Sequence, residues 1–75
     1  MNYTVRTVSL IQSGRVLDEY YVGNSRKEAS QTVEDLQKKE FTRIQLIDRK
    51  DDKVFQFDFN NRFGYKLKIL PYENN

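Results

Sequence analysis

Phe55, Phe57 and Phe59 alternate with Gln56 and Asp58, and Tyr65, Leu67 and Ile69 alternate with Lys66 and Lys68. This two-residue period belongs to strands buried on one face. Before them, Phe41-Thr42-Arg43-Ile44-Gln45-Leu46-Ile47 is equally strand-like, and Asp51-Asp52 and Asn60-Asn61-Arg62-Phe63-Gly64 supply turns. Pairing Ile47 with Val54 across the first turn and Phe59 with Tyr65 across the second gives two registers that agree. The inward rows become Ile44–Phe57–Leu67 and Leu46–Phe55–Ile69, all apolar, and the outward rows Arg43–Asp58–Lys66 and Gln45–Gln56–Lys68. A slip of one residue at either turn would set phenylalanine opposite charge, so the pattern predicts a three-stranded antiparallel meander.

The N-terminal pattern is less regular. Tyr3–Ile11 and Val16–Val22 are rich in β-branched and aromatic residues and flank Gln12-Ser13-Gly14-Arg15, which predicts a hairpin closing on Ser13-Gly14. That loop pairs Val5 with Val22, Ile11 with Val16, Leu10 with Leu17 and Arg6 with Tyr21. Both faces are then mixed, which predicts a bend, a bulge or cover on both sides in the distal half of this hairpin. Ser25-Arg26-Lys27-Glu28 follows, the Ser-x-x-Glu box in which hydroxyl and carboxylate satisfy backbone donors at a helix start. Ala29, Val33 and Leu36 recur at helical spacing as one narrow apolar stripe, and the helix should end near Glu40. The expected fold is α+β in the order ββαβββ, a hairpin, one helix and a three-stranded meander, with the helix on one face of the sheet. Strand order 2-1-3-4-5 follows from a crossover helix with the first strand between the second and third. Residues 1–75 read as a single domain, with 71–75 as a frayed tail.

Length and composition fit that picture. Seventy-five residues fill one core, and Ile, Val, Leu and Phe make up 21 of them, enough to fold. The chain has no cysteine and no histidine. That removes disulfides, thiolate nucleophiles, imidazole ligands and the commonest general base. Neither a signal-peptide pattern nor a long apolar run is present, which leads to the expectation of a soluble cytoplasmic protein without membrane contact.

Little remains for catalysis. Asp48, Asp51 and Asp52 cluster in one turn, but Arg49, Lys50 and Lys53 interleave with them and the ligand spacing of a calcium loop is missing, so they read as a solvated turn. The serines have no histidine partner, and three glycines form no phosphate-cradling loop. The expectation is a non-enzymatic protein with no metal and no cofactor.

Charge and apolar pattern point to two kinds of binding. Net charge is +2, yet residues 43–68 carry seven basic and four acidic side chains while residues 1–42 balance. Arg43, Lys66 and Lys68 on the outward sheet face, with Arg62, Arg6 and Tyr21 at its rim, form the set a nucleic acid would use. Asp58 between Arg43 and Lys66 weakens that set, and +2 is low for a polyanion binder. The outward face also holds Ile47, Val54 and Leu70 in one group and Val8, Leu10 and Leu17 in another. With the first strand beside the third, the two groups would merge into one apolar patch suited to a protein partner. An exposed edge strand, Val16–Val22 or Tyr65–Leu70, opens a second route by strand addition, including a homodimer.

The segment Arg15–Val22 followed by Ser25-Arg26-Lys27-Glu28-Ala29 resembles the hairpin-then-helix stretch of the small arm-site DNA-binding domains of phage-type integrases. It covers about a third of the chain, and its motif is chiefly the helix cap. That family places three strands before the helix, whereas three strands follow it here, and no DNA-contacting residue carries over. The leading expectation is therefore a protein-binding regulator or inhibitor, of the kind phages and mobile elements encode, with nucleic-acid binding as the alternative.

Overall fold

The computed structural model describes residues 1–72. The chain forms β1 (Tyr3–Ile11), β2 (Gly14–Gly23), α1 (Arg26–Lys38), β3 (Arg43–Asp48), β4 (Lys53–Asn60) and β5 (Gly64–Pro71). The strands make one antiparallel sheet in the order β2-β1-β3-β4-β5. Both meander registers are as the alternation dictates, with Ile47 opposite Val54 and Phe59 opposite Tyr65.

The first hairpin differs from expectation. Its turn is Gln12-Ser13, because Ile11 pairs with Gly14. Gly14 starts β2 at φ 137, a conformation that residues with a Cβ avoid, so the turn closes before it. The register also shifts between Val5 and Arg6, in the half of the hairpin away from the turn rather than the distal half where an irregularity was expected: Arg6 faces Glu19, whereas Val5 faces Tyr21. Tyr20 is the extra residue of this bulge, and beyond it β2 shows the opposite alternation. The expected pairs Val5–Val22, Ile11–Val16, Leu10–Leu17 and Arg6–Tyr21 are thus replaced by Val5–Tyr21, Ile11–Gly14, Leu10–Arg15, Val8–Leu17 and Arg6–Glu19.

The bulge turns Tyr21 toward the helix. Ser25 Oγ accepts the Glu28 N–H at 3.1 Å, as a helix cap should. The reciprocal bond runs through Tyr21: its hydroxyl accepts the Ser25 N–H at 2.9 Å and donates to Glu28 Oε2 at 3.1 Å. Gly23 leaves room for this ring, since a Cβ there would collide with the Tyr21 hydroxyl and lie 2.7 Å from its Cζ. Gly23→Ala should therefore destabilise the domain by about 1–3 kcal/mol, through overpacking rather than backbone strain. A urea midpoint equal to that of the unsubstituted chain would contradict this.

One face of the sheet carries α1. Ala29, Val33 and Leu36 of the helix pack with Tyr3, Val5, Ile44 and Leu46 as the buried core. The helix lies against β1, β2 and β3. Its width, about 10 Å, spans two to three strands at roughly 4.8 Å spacing, so a single helix cannot roof five. At the far end of the sheet Pro71 still belongs to β5, opposite Lys53, and the Tyr72 N–H donates to the Asp52 carbonyl at 3.0 Å. The expected frayed tail therefore does not begin at Pro71. Residues 73–75 lie outside the described residues.

Candidate docking surfaces

The outer face, away from α1, holds the residues that the sequence assigns to a binding patch, but in two separated places. A polar row crosses it. Arg6 Nε donates to Gln45 Oε1 at 2.8 Å, Gln45 Nε2 to Gln56 Oε1 at 2.8 Å, and Gln56 Nε2 to Asp58 Oδ2 at 3.0 Å. Arg43 Nε closes the chain on Asp58 Oδ1 at 2.7 Å. Ile47, Val54 and Leu70 lie on one side of this row, and Val8, Leu10 and Leu17 on the other. The merged apolar patch is therefore absent: two-residue alternation places the Arg6–Gln45–Gln56–Lys68 row between the two groups.

Burial separates these residues further. Val8, Ile47 and Val54 are buried and Leu70 is half-buried, whereas Leu10 is 74% and Leu17 49% exposed. Near Ile47, Arg49 donates to Thr4 Oγ1 at 2.9 Å, and its guanidinium lies 5.6 Å from the Tyr72 ring centroid. These two side chains lie across that end of the face. Leu10 and Leu17 belong to the distal hairpin, which extends beyond the last β1–β3 pair, Thr7 with Ile44.

Of the basic rim, Arg6 and Arg43 are engaged in the polar row, while Lys66 and Lys68 are exposed on β5. Arg62 sits in the β4–β5 turn, 5.9 Å from the Phe63 ring centroid. Tyr21 is not on this rim at all; the bulge places it at the helix cap. Burial pushes the Asp58 carboxyl up, but hydrogen bonds from Arg43 and Gln56 and the charges of Arg43 and Lys68 outweigh it and hold it below the usual value. A carboxylate lowered on folding stabilises the domain above its unfolded pKa and loses that contribution as pH falls through the folded one. Asp58→Asn should therefore flatten stability between about pH 5 and pH 2, by at most about 1 kcal/mol for so exposed a pair. Urea unfolding of both chains across that range checks it, and parallel pH profiles would contradict it.

The helix-side face offers a different surface. Beside α1, the β4–β5 half of the sheet lies open as a groove of about 320 Å³. Val33, Leu46, Phe55, Phe57 and Leu67 line it, with Arg26 and Glu34 along the helix side. The Arg26 guanidinium lies 4.9 Å from the Phe55 ring centroid. Leu67 and Ile69 are 51% and 55% exposed, although their row was expected to be core. Tyr65 lies on the same face of β5: its hydroxyl donates to the Phe41 carbonyl at 2.5 Å, and its ring centroid lies 5.2 Å from that of Phe59. Sequence reasoning missed this surface by placing every inward residue under the helix. The three-residue stripe of α1 was the signal that the cover is narrow.

The acidic turn is structural. Asp48 is buried, and its Oδ1 accepts the Asp51 N–H at 3.1 Å. Among the described residues, no acidic cluster has the arrangement of a metal site, and no helix is long and apolar enough to cross a membrane. Fold and surface together define a small α+β domain with one helix on a five-stranded antiparallel sheet and an apolar groove beside that helix. Comparison of the chain with protein-family models, curated proteins and solved structures finds no match in any of the three.

Proposed function

We propose that this protein is a non-catalytic protein-binding module that acts as a regulator or inhibitor by occupying a partner's surface. The supporting observation is the groove beside α1, where Leu67 is half exposed on a floor continued by Phe55 and Phe57, and Ile69, opposite Phe55 on the same face, is equally open. Apolar residues gathered in a concavity with charges at its margin have the anatomy of an interface: desolvation at the centre supplies affinity, and Arg26 and Glu34 set orientation. A photoreactive residue at position 69 should cross-link one protein in the source cell. Excess unlabelled protein should compete, and excess Leu67→Asp should not. Cross-links to nucleic acid, or cross-links that Leu67→Asp displaces equally well, would reject the groove as the interface.

Nucleic-acid binding is the second reading, and the observation that favours it is the exposed pair Lys66 and Lys68, with Arg62 at the end of the same hairpin. Its mark would be an affinity that falls steeply with added salt and is lost in the Lys66→Glu/Lys68→Glu chain. An electrophoretic shift assay that shows no complex at low salt rejects it.

A further inference from the structure

The groove is bounded by an unpaired strand edge. β5 is the last strand of the sheet and pairs only with β4. Its pairing is unbroken from Gly64 to Pro71, whereas the other edge strand, β2, is interrupted by the bulge near Tyr20. A bulge blunts an edge, and a regular strand invites another. Tyr65, Leu67 and Ile69 take the helix side of the sheet, where Leu67 lines the groove, and Lys66 and Lys68 face the other side. Between Asn61 and Pro71 the chain carries Arg62, Lys66 and Lys68 and no acidic residue. Opposite Lys66, Asp58 is already held by Arg43 and Gln56, and Arg43–Asp58 is the one ion pair among the described residues.

We infer that β5 accepts an added strand from a protein partner, an extended segment in which apolar residues alternate with aspartate or glutamate. The inference rests on the protein-binding reading above and names the chemistry of the partner. Side chains of an added strand alternate between the faces as those of β5 do. One set of alternate residues then extends the Leu67 and Ile69 rows into the groove, and the other meets Lys66 and Lys68. Opposite charges across neighbouring strands attract and like charges repel. A second copy fits poorly for the same reason: antiparallel β5–β5 pairing would set Lys66 and Lys68 among their own counterparts. Pro71, with no N–H to donate, bounds the docking edge at one end.

The test uses end-blocked nine-residue peptides alternating valine and glutamate, followed by amide NMR of the whole protein. The alternating peptide should bind and slow the hydrogen exchange of amides between Tyr65 and Leu70. A peptide of the same composition, with valines and glutamates in separate blocks, should bind about tenfold more weakly, as should the alternating peptide on Lys66→Glu/Lys68→Glu. Backbone N-methylation at one set of alternate residues should abolish binding, and methylation at the other should spare it, because a strand pairs through one edge. Equal binding of the block peptide, no new protection on β5, displacement by a thymidine oligonucleotide, or dimerisation of the protein alone would each overturn the inference. If the alternating peptide fails while an amphipathic helical peptide binds and Leu67→Asp abolishes it, strand addition falls and the groove reading stands. If position 69 cross-links no protein in the cell, both fall.

Discussion

Leu67→Asp is expected to weaken partner capture by thirtyfold or more, the scale of about 2 kcal/mol or above that a residue at the centre of an interface carries. Leu67 lies on the groove floor between Phe57 and the open edge of the sheet, and half its surface meets solvent. Aspartate there would place a charge where the partner must exclude water, and it would repel an acidic segment docking along β5. The fold should tolerate the change at a cost of about 1 kcal/mol or less, because the side chain is already half exposed and α1 does not cover it. Leu10→Asp is the matched control. Leu10 is 74% exposed on the distal hairpin, on the opposite face of the sheet, and its replacement should leave capture unchanged. The reverse result, capture lost with Leu10→Asp and kept with Leu67→Asp, would move the interface to the outer hairpin face and overturn the groove reading.

Ile44→Ala should produce the largest loss of stability. Ile44 has no exposed surface, lies between Thr7 of β1 and Phe57 of β4, and belongs to the cluster under α1. Truncating a buried isoleucine to alanine costs about 2–5 kcal/mol, combining lost transfer energy with the cavity left behind. A domain of this length has a total stability of roughly 4–11 kcal/mol, at about 0.05–0.15 kcal/mol per residue. The variant should therefore lose a large fraction of its urea resistance and be partly unfolded at physiological temperature. A cost below about 1 kcal/mol would mean that the site collapses around the smaller side chain and that the core does not depend on this contact.

The meander was legible because two independent constraints met in it. Phe55, Phe57 and Phe59 set the phase of β4, and the turns on either side admitted one register each that kept charge away from them. The helix was legible for a similar reason: Ser25 and Glu28 mark its start, and Ala29, Val33 and Leu36 mark one face. The first hairpin was not, because Tyr20 and Tyr21 are chemically alike and nothing in the local pattern says which of them the bulge leaves out of the ladder. That choice is made by the helix start, where the Tyr21 hydroxyl finds the Ser25 N–H and the Glu28 carboxylate.

The same division holds for the binding surface. Alternation alone assigns Val8, Leu10, Leu17, Ile47, Val54 and Leu70 to the outer face, and they do lie there. Whether those residues meet solvent depends on what crosses them. Arg49 and Tyr72 lie across one end, and the Arg6–Gln45–Gln56–Asp58 hydrogen bonds divide the rest. By itself the sequence determined element order, the meander register and which face each meander side chain takes, because these follow from local periodicity and turn chemistry. Only the tertiary structure decided which apolar residues remain open. One helix about 10 Å wide roofs at most three of five strands, and exposure is set by that mismatch of widths rather than by the pattern of any strand.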